Sequence, residues 1–443
     1  MKKPTYLKEF ARYSLLSVLG MIGLSCYILA DTFFIAQGLG ANGLAALNLA
    51  IPVYSIISGC GMMLGMGGAT KYAVCRGQHA KMQINRIFTN TVYIAVIIAV
   101  LFCLTGVFLS NEITTLLGAN AEIFAMTNTY LKVILLFSPG FIFNDILICF
   151  VRNNGNPRLS MLAMLCGSFS NIILDYIFIF PLHMGMFGAV FATGLAPIIS
   201  MLILSKHWIA KKNDFHLEIR RPNIEIIRSI FSIGLPSFIT ELSSGIVIIA
   251  FNTIILGLAG NVGVAAYGVI ANISLVVIAI YTGIAQGMQP LVSKAYGHGD
   301  TIKMKQVLRY AVTTVLVLSG IIYLAIFLLA DPIAGIFNSE HNAQLQAFAT
   351  YGLKLYFLAV GFVGLNIIMS MYFAAMHKAF PAQVISLLRG LILILPMAFL
   401  LAAVGGITGV WLAVPVTEGL VAGIVIILYD TVIKKAGGNP WER

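Results

Sequence analysis

The chain has 443 residues, of which 59% are hydrophobic and only 10% are charged. Soluble domains are roughly 45–50% apolar and about 25% charged, so this composition excludes an ordinary soluble protein and indicates one that lies in the lipid bilayer. The net charge is +11, with 27 basic residues against 16 acidic ones. A basic excess can serve nucleic-acid binding, but the positions of these residues favour a topological explanation, and we expect no nucleic-acid partner.

Twelve apolar segments are each long enough to cross a bilayer, which takes about 20 residues. They start near residues 13, 45, 87, 124, 159, 188, 229, 263, 307, 345, 381 and 409. The two termini and every second connection carry 24 of the 27 Lys and Arg residues, whereas the alternate connections carry none. The even number of spans and the positive-inside rule together predict that both termini are cytoplasmic.

The second half of the sequence repeats features of the first. Small residues recur at an offset of 220 or 221 residues, as in the pairs Gly40 and Gly260, Gly43 and Gly263, and Gly185 and Gly406. Each half holds six spans, an even number, so the two halves should be parallel repeats related by an axis along the membrane normal. We therefore expect an all-α membrane protein with twelve transmembrane helices in two six-helix lobes around a central cavity. The lobes are residues 1–205 and 229–443, and residues 206–228 form a basic cytoplasmic linker.

Four oxygen-bearing side chains of the first half are expected at one depth in the membrane. Asp31 and Asp175 each lie roughly six residues from the outer end of their span, at a rise of about 1.5 Å per residue. Asn171 precedes Asp175 by one helical turn and so shares its face, and Thr193 lies near the outer end of span 6. Intramembrane acids are usually functional, which favours a cation site over simple helix-to-helix hydrogen bonding. A proton needs only the carboxylates, whereas the neutral oxygens of Asn171 and Thr193 suit Na⁺.

The second half carries different charges within its spans, namely Glu241, Arg389 and Glu418, all expected near mid-membrane. They predict a buried ion pair with one surplus carboxylate that would attract a cationic substrate. An ion pair that only holds helices together is the alternative. Together with Asn144 they form the predicted substrate cavity. Asp145 is expected at the membrane interface, near the cytoplasmic end of its span.

The sequence shows neither a nucleophile paired with a base nor a cluster with metal-ligand spacing. The glycine-rich stretch at residues 59–68 lacks the Lys-Ser/Thr ending of a phosphate-binding loop and lies in an apolar span, so close helix packing explains it better. We therefore expect no enzyme and no cofactor. Any pumping would have to draw on an ion gradient.

Five stretches, in order along the twelve spans, carry a family resemblance. They are ADTFFIAQGLGANGLAALNLAIP at 30–52, RNNGNPR at 152–158, NIILDYIFIF with GMFGAVFATG at 171–194, GLPSFITE at 234–241, and GIAQGMQPLVSKAYGHGD at 283–300. The chain resembles the multidrug and toxic compound extrusion (MATE) family over essentially its whole length, and its Glu-bearing seventh span is similar to the MepA-type branch.

The resemblance implies a monomeric exporter of organic, mostly cationic and amphipathic compounds in the plasma membrane of a prokaryote. Such a transporter exchanges its substrate for inward Na⁺ or H⁺ by alternating access. The family's cation site falls on Asp31, Asn171, Asp175 and Thr193. The family's first span often carries a proline where this chain has Leu16, so Gly20 or Gly23 would have to serve as the hinge.

A flippase for lipid-linked oligosaccharides, from the same broad superfamily, is the alternative function. It would need a larger, basic cavity for a pyrophosphate group. The surplus of intramembrane acids in this sequence disfavours it.

Overall fold

The computed structural model describes residues 6–338 and 342–435, and within these ranges the protein is all-α. The helices are α1 (Tyr6–Gly77), α2 (Lys81–Phe108), α3 (Ser110–Leu116), α4 (Phe124–Leu136), α5 (Ser138–Asn153), α6 (Pro157–Ile179), α7 (Gly185–Leu204), α8 (Lys206–Ile209), α9 (Ile224–His298), α10 (Thr301–Phe337), α11 (Ala343–Tyr356), α12 (Val360–Ala375), α13 (Ala379–Leu387) and α14 (Ile394–Lys435). A 3₁₀ turn separates α11 from α12, and a π-helical turn over Leu388–Ile392 separates α13 from α14.

Three of the helices each contain two spans that are joined by a single glycine. The 72 residues of α1 would extend over roughly 100 Å if straight, at about 1.5 Å per residue. The helical conformation breaks at Gly40 (φ 68°, ψ −160°), Gly260 (φ 62°, ψ −158°) and Gly406 (φ 55°, ψ −138°). Only glycine adopts this backbone region readily, so one residue reverses the chain without a loop.

These glycine breaks yield the twelve predicted spans within the described residues. Spans 1 and 2 are the parts of α1 before and after Gly40, and Gly260 divides α9 into spans 7 and 8 in the same way. Span 4 consists of α4 and α5, which are bent by 48° relative to each other. Spans 3, 5, 6 and 9 are α2, α6, α7 and α10, span 10 is α11 with α12, and Gly406 divides the α13–α14 segment into spans 11 and 12.

The glycine pairs predicted from the repeat adopt matching conformations. Gly40 and Gly260 have the same positive φ, as do Gly185 (φ 60°) and Gly406 (φ 55°). A methyl group added at Gly43 or Gly263 would collide with the turn before it, at the side chains of Leu39 and Ala259 respectively. The same tight reversal is therefore built twice, once in each half.

The apolar core is divided between the two halves. One cluster of buried side chains runs from Ile35 to Ile230 and forms the core of the N-lobe. A second cluster runs from Phe251 to Val425 and forms the core of the C-lobe, with Phe10 added to it. Phe10 and Ile230 each pack into the opposite lobe, so spans 1 and 7 interlock the lobes at the end where both spans begin.

The segment between the lobes is docked on the N-lobe. Phe215 is fully buried among aromatic side chains of that lobe. Backbone N–H groups of the segment donate to side chains of span 3: His216 to Asn85 Oδ1 at 2.9 Å, and Asn223 to Asn90 Oδ1 at 2.8 Å. These bonds fix the path of the segment along the helix end, so it is more than a flexible tether.

Candidate functional site

Two carboxyl groups meet inside the N-lobe. Asp31 of span 1 and Asp175 of span 5 are both buried, and their carboxyl groups are in hydrogen-bonding contact with each other. On each residue Oδ1 is buried and has no hydrogen-bond partner in the described structure. Two ionised carboxylates at this distance would repel, so the pair requires a proton or a small cation. The structure thus brings together the two acids that the sequence placed at one depth.

Asn171 and Thr193 complete this group. With its amide nitrogen turned towards Asp175, Asn171 donates to Oδ2 at 3.0 Å, and its oxygen accepts from the backbone N–H of Thr193 at 3.2 Å. The Thr193 hydroxyl donates to the carbonyl oxygen of Ala189 at 3.1 Å, and both side chains are buried. We call Asp31, Asn171, Asp175 and Thr193 the N-lobe acid site.

Two tyrosines that the sequence reading missed lie beside the N-lobe acid site. Tyr27 and Tyr130 are buried within electrostatic range of both carboxylates. The Tyr27 hydroxyl is 3.1 Å from that of Tyr54. Tyr27 could have been found because it precedes Asp31 by one helical turn. Tyr130 could not, since no sequence signal indicates which face of the bent span 4 meets span 1.

The predicted ion pair of the C-lobe is present. Arg389 Nε and Nη2 both donate to Glu418 Oε1, at 3.1 and 2.9 Å, and both side chains are largely buried. The other carboxylate oxygen, Oε2, accepts from Asn366 Nδ2 at 2.7 Å. Arg389 lies in the π-helical turn of span 11. Such turns are rare in proteins, and those that occur are frequently found at functional sites. Asn144 makes no such contact, and its Oδ1 is buried without a hydrogen bond in the described structure.

Glu241 lies apart from this pair, near the carboxylate of Asp145. A methyl group at Gly61 of span 2 would come within 2.6 Å of Asp145 Oδ2, and one at Gly59 within 3.5 Å of Glu241 Cβ. Asp145 and Glu241 therefore flank the glycine-rich part of span 2, close enough for their charges to interact. Asp145 lies near the middle of α5 and is half-buried, and its place at the membrane interface stays a prediction.

The glycines of the 59–68 stretch provide the predicted close packing. A methyl group at Gly67 would collide with the Ile230 carbonyl, and one at Gly234 with the Met63 carbonyl, so spans 2 and 7 touch through their backbones. Gly20 and Gly23 similarly contact Met164 and Leu165 of span 5. Gly20 and Gly23 both lie in a continuous helical part of α1. A hinge at either glycine stays a prediction.

The lobes are joined at one end of the bundle. We call this the basic end, because the Lys- and Arg-rich connections lie there. Within the described residues, the side-chain hydrogen bonds between lobes run from Lys71 to Ser229 (2.9 Å), Arg152 to Gln286 (2.5 Å), Asn153 to Gln289 (3.0 Å), Gln289 to Thr70 (2.9 Å) and Lys303 to Glu9 (2.8 Å). The structure therefore represents a state that is closed at the basic end.

The model of the MatE family matches residues 17–177 and 236–400, one stretch in each lobe. The chain belongs to the MatE family. Among similar proteins, the multidrug export protein MepA of Staphylococcus saprophyticus is 26% identical over 431 residues, covering 97% of this chain and 94% of its own length. The MepA of Staphylococcus aureus strain MSSA476 has the same identity and coverage.

Solved MatE-type structures share the fold over nearly the whole chain. An outward-facing multidrug resistance MATE transporter of the MOP superfamily superposes with a TM-score of 0.91, at 24% identity, covering 98% of both chains. A MOP superfamily transporter from Pyrococcus furiosus, described as having a binding pocket of reverse polarity, reaches a TM-score of 0.90 at 24% identity, covering 98% of this chain and 97% of its own. These matches confirm the multi-pass, twelve-helix membrane fold of a transporter family.

Proposed function

We propose that this MatE protein is a secondary multidrug efflux transporter that exchanges organic, mostly cationic compounds for inward Na⁺ or H⁺. The observation that carries the proposal is the N-lobe acid site, where two buried carboxyl groups touch and each leaves one oxygen without a partner. Such a pair can exist in apolar surroundings only when it holds a proton or a cation. The relatives named multidrug export proteins support the same class of substrate.

The proposed cycle uses the lobes 1–205 and 229–443 as two bodies that rock about the central cavity, joined by the 206–228 linker. The basic end would face the cytoplasm by the positive-inside rule, with both termini there. The state described above would then be outward-facing, with the cytoplasmic path shut. A cation entering the N-lobe acid site and a drug in the cavity would stabilise different states, which couples the two fluxes. One chain supplies both lobes, so we propose a monomer in a prokaryotic plasma membrane.

The substrate region would be negative rather than neutral. Glu418 is compensated by Arg389, whereas Glu241 and Asp145 have no ion-pair partner in the described residues. A cationic drug between the lobes would therefore be attracted towards Glu241. Because Arg389 is held by a carboxylate, it offers no free charge to a pyrophosphate, and we do not propose the flippase alternative.

Replacing Glu241 by Gln should weaken the export of cationic drugs by about tenfold and that of neutral drugs by much less, since one attractive charge is lost from a low-dielectric region. Apparent affinities for a matched pair of cationic and neutral substrates would be compared in inverted vesicles. The exposed Glu112 provides a matched control as Glu112→Gln. Equal losses for both drug classes would indicate a packing role for Glu241 against Gly59.

The coupling ion can be identified by transport in proteoliposomes with Na⁺ and pH gradients imposed separately. Asn171 and Thr193 would be superfluous for a proton, so we favour Na⁺. The variants Asn171→Ala and Thr193→Val should lower apparent Na⁺ affinity by about tenfold while proton-driven export persists at low pH. A carboxylate holds either H⁺ or Na⁺, so higher pH should strengthen Na⁺ binding. A protein that ignores Na⁺ at every pH, with both variants unimpaired, would leave proton exchange as the mechanism.

A further inference from the structure

Arg152 is a buried cation that forms no salt bridge within the described residues. Its side chain is only 2% exposed, and no carboxylate forms a salt bridge with it in the described parts of the chain. The guanidinium donates to Gln286 Oε1 at 2.5 Å and to Cys149 Sγ at 3.6 Å, while Nε has no partner there. Asp145 is close enough to interact with this charge electrostatically, but no acid of the described structure contacts the guanidinium directly. A buried charge without a contacting counter-charge is unfavourable, so a neutral side chain would make this contact at lower free energy. The charge itself therefore needs a reason.

The position of Arg152 supplies a reason for its charge. The residue lies at the end of span 4, at the basic end, and its side chain contacts Gln286 in span 8 of the other lobe. The neighbouring contacts in this layer are neutral: Asn153 donates to Gln289, which in turn donates to the hydroxyls of Thr70 (2.9 Å) and Ser293 (3.0 Å). Arg152 thus places a positive charge among amides and hydroxyls at the closed junction of the lobes.

The same layer leaves little space for a hydrated ion. A methyl group at Gly287 of span 8 would come within 2.5 Å of Ser14 Cα, and one at Gly283 within 2.6 Å of Val18 Cα, both in span 1. Nearer the surface, Lys71 joins the lobes through Ser229 and adds positive charge. A cation crossing here would lose its water and pass two positive side chains.

We infer that Arg152 is the electrostatic seal of the closed basic end, which prevents the coupling cation from leaking through the protein without exchange for substrate. This rests on the proposed function, because it assumes that Na⁺ or H⁺ enters from the opposite end and stops at the N-lobe acid site. A unit positive charge about 5 Å from the path slows a passing cation by a factor of roughly 300 at an effective dielectric constant near 20. A charged side chain excludes cations from narrow membrane pores in the same way. In the alternating cycle, the seal would open only when Arg152 separates from Gln286.

The test measures drug-independent uptake of ²²Na⁺, and of protons with an internal pH dye, into proteoliposomes holding the full-length protein. Arg152→Gln should raise this leak by about tenfold or more, while Arg152→Lys, which keeps the charge, should stay near wild type. Asn153→Ala removes a neutral bond from the same layer and should change the leak less than about twofold. If Asn153→Ala or Arg152→Lys leaks as much as Arg152→Gln, the inference is overturned, because the junction is then sealed by packing and not by the charge of Arg152.

A second variant keeps the test decisive if Arg152→Gln does not fold. Gln286→Glu places a carboxylate against the guanidinium, which neutralises the charge without removing the contact, so leak should rise while the Tm does not fall. A Gln286→Glu protein whose cation leak is no higher than that of wild type would overturn the inference. Drug export by wild type in the same vesicles is scored separately. If wild type exports no drug, the proposed function is refuted. If wild type exports drug but neither Arg152→Gln nor Gln286→Glu raises the cation leak, only the seal is refuted.

Discussion

Asp31→Asn and Asp175→Asn are each expected to reduce gradient-driven export to the level of empty liposomes while leaving a folded protein in the membrane. The loss follows because one carboxyl of the touching pair can no longer exchange a proton or cation. Folding is spared because the amide of Asn carries no charge to be buried and is similar in size to the carboxyl group. Export of a fluorescent substrate under an imposed Na⁺ or pH gradient measures the effect, with Tm in detergent as the check on folding.

The matched control is Asp430→Asn, which removes an exposed carboxylate from α14. It should export like wild type. Normal export by both Asp31→Asn and Asp175→Asn would show that the N-lobe acid site is not the coupling site. Loss of export in only one of them would mean that the other carboxyl group merely supports its neighbour through the contact that the two residues make.

Glu418→Gln is expected to destabilise the protein by about 3–5 kcal/mol, because it leaves Arg389 buried without its counter-charge. The double variant Arg389→Met with Glu418→Gln should recover most of this loss. Unfolding in detergent, followed by Tm and by denaturant, measures both. For comparison, Glu218→Gln breaks an exposed pair with Arg220, and surface pairs contribute about 0–1 kcal/mol.

The same series decides what the C-lobe ion pair does. A structural pair predicts that export follows stability and returns in the double variant. If Glu418→Gln instead keeps its Tm and loses export of cationic drugs, Glu418 acts on the substrate and Arg389 only modulates it. The bond from Asn366 Nδ2 to Glu418 Oε2 should make the carboxylate less free to leave Arg389.

The four residues of the N-lobe acid site, predicted from the resemblance and the depth arithmetic, lie together in the structure, and their role stays a prediction. Asp31 lies in α1 before its break at Gly40, and Asn171 and Asp175 lie in α6, so a fixed rise per residue predicts one depth for them. Asp145 lies in span 4, which bends by 48°, and its predicted place at the membrane interface remains to be tested. The bend falls at Ser138-Pro139-Gly140, where α5 begins with a proline in its first turn, and proline is a helix-breaking signal that the sequence does show.

The sequence by itself determined that the surrounding solvent is lipid, the number of spans, their two-fold repetition and the glycine pairs that recur in it. Each of these depends on local properties: apolar length, charge in the connections, and a backbone conformation that only glycine adopts readily. Only the tertiary structure decided which polar groups meet, because a side chain's partner depends on how helices distant in sequence pack against each other. Two contacts were decided in this way by the tertiary structure. Arg389 pairs with Glu418 and not with Glu241, and Arg152 contacts Gln286 across the lobes.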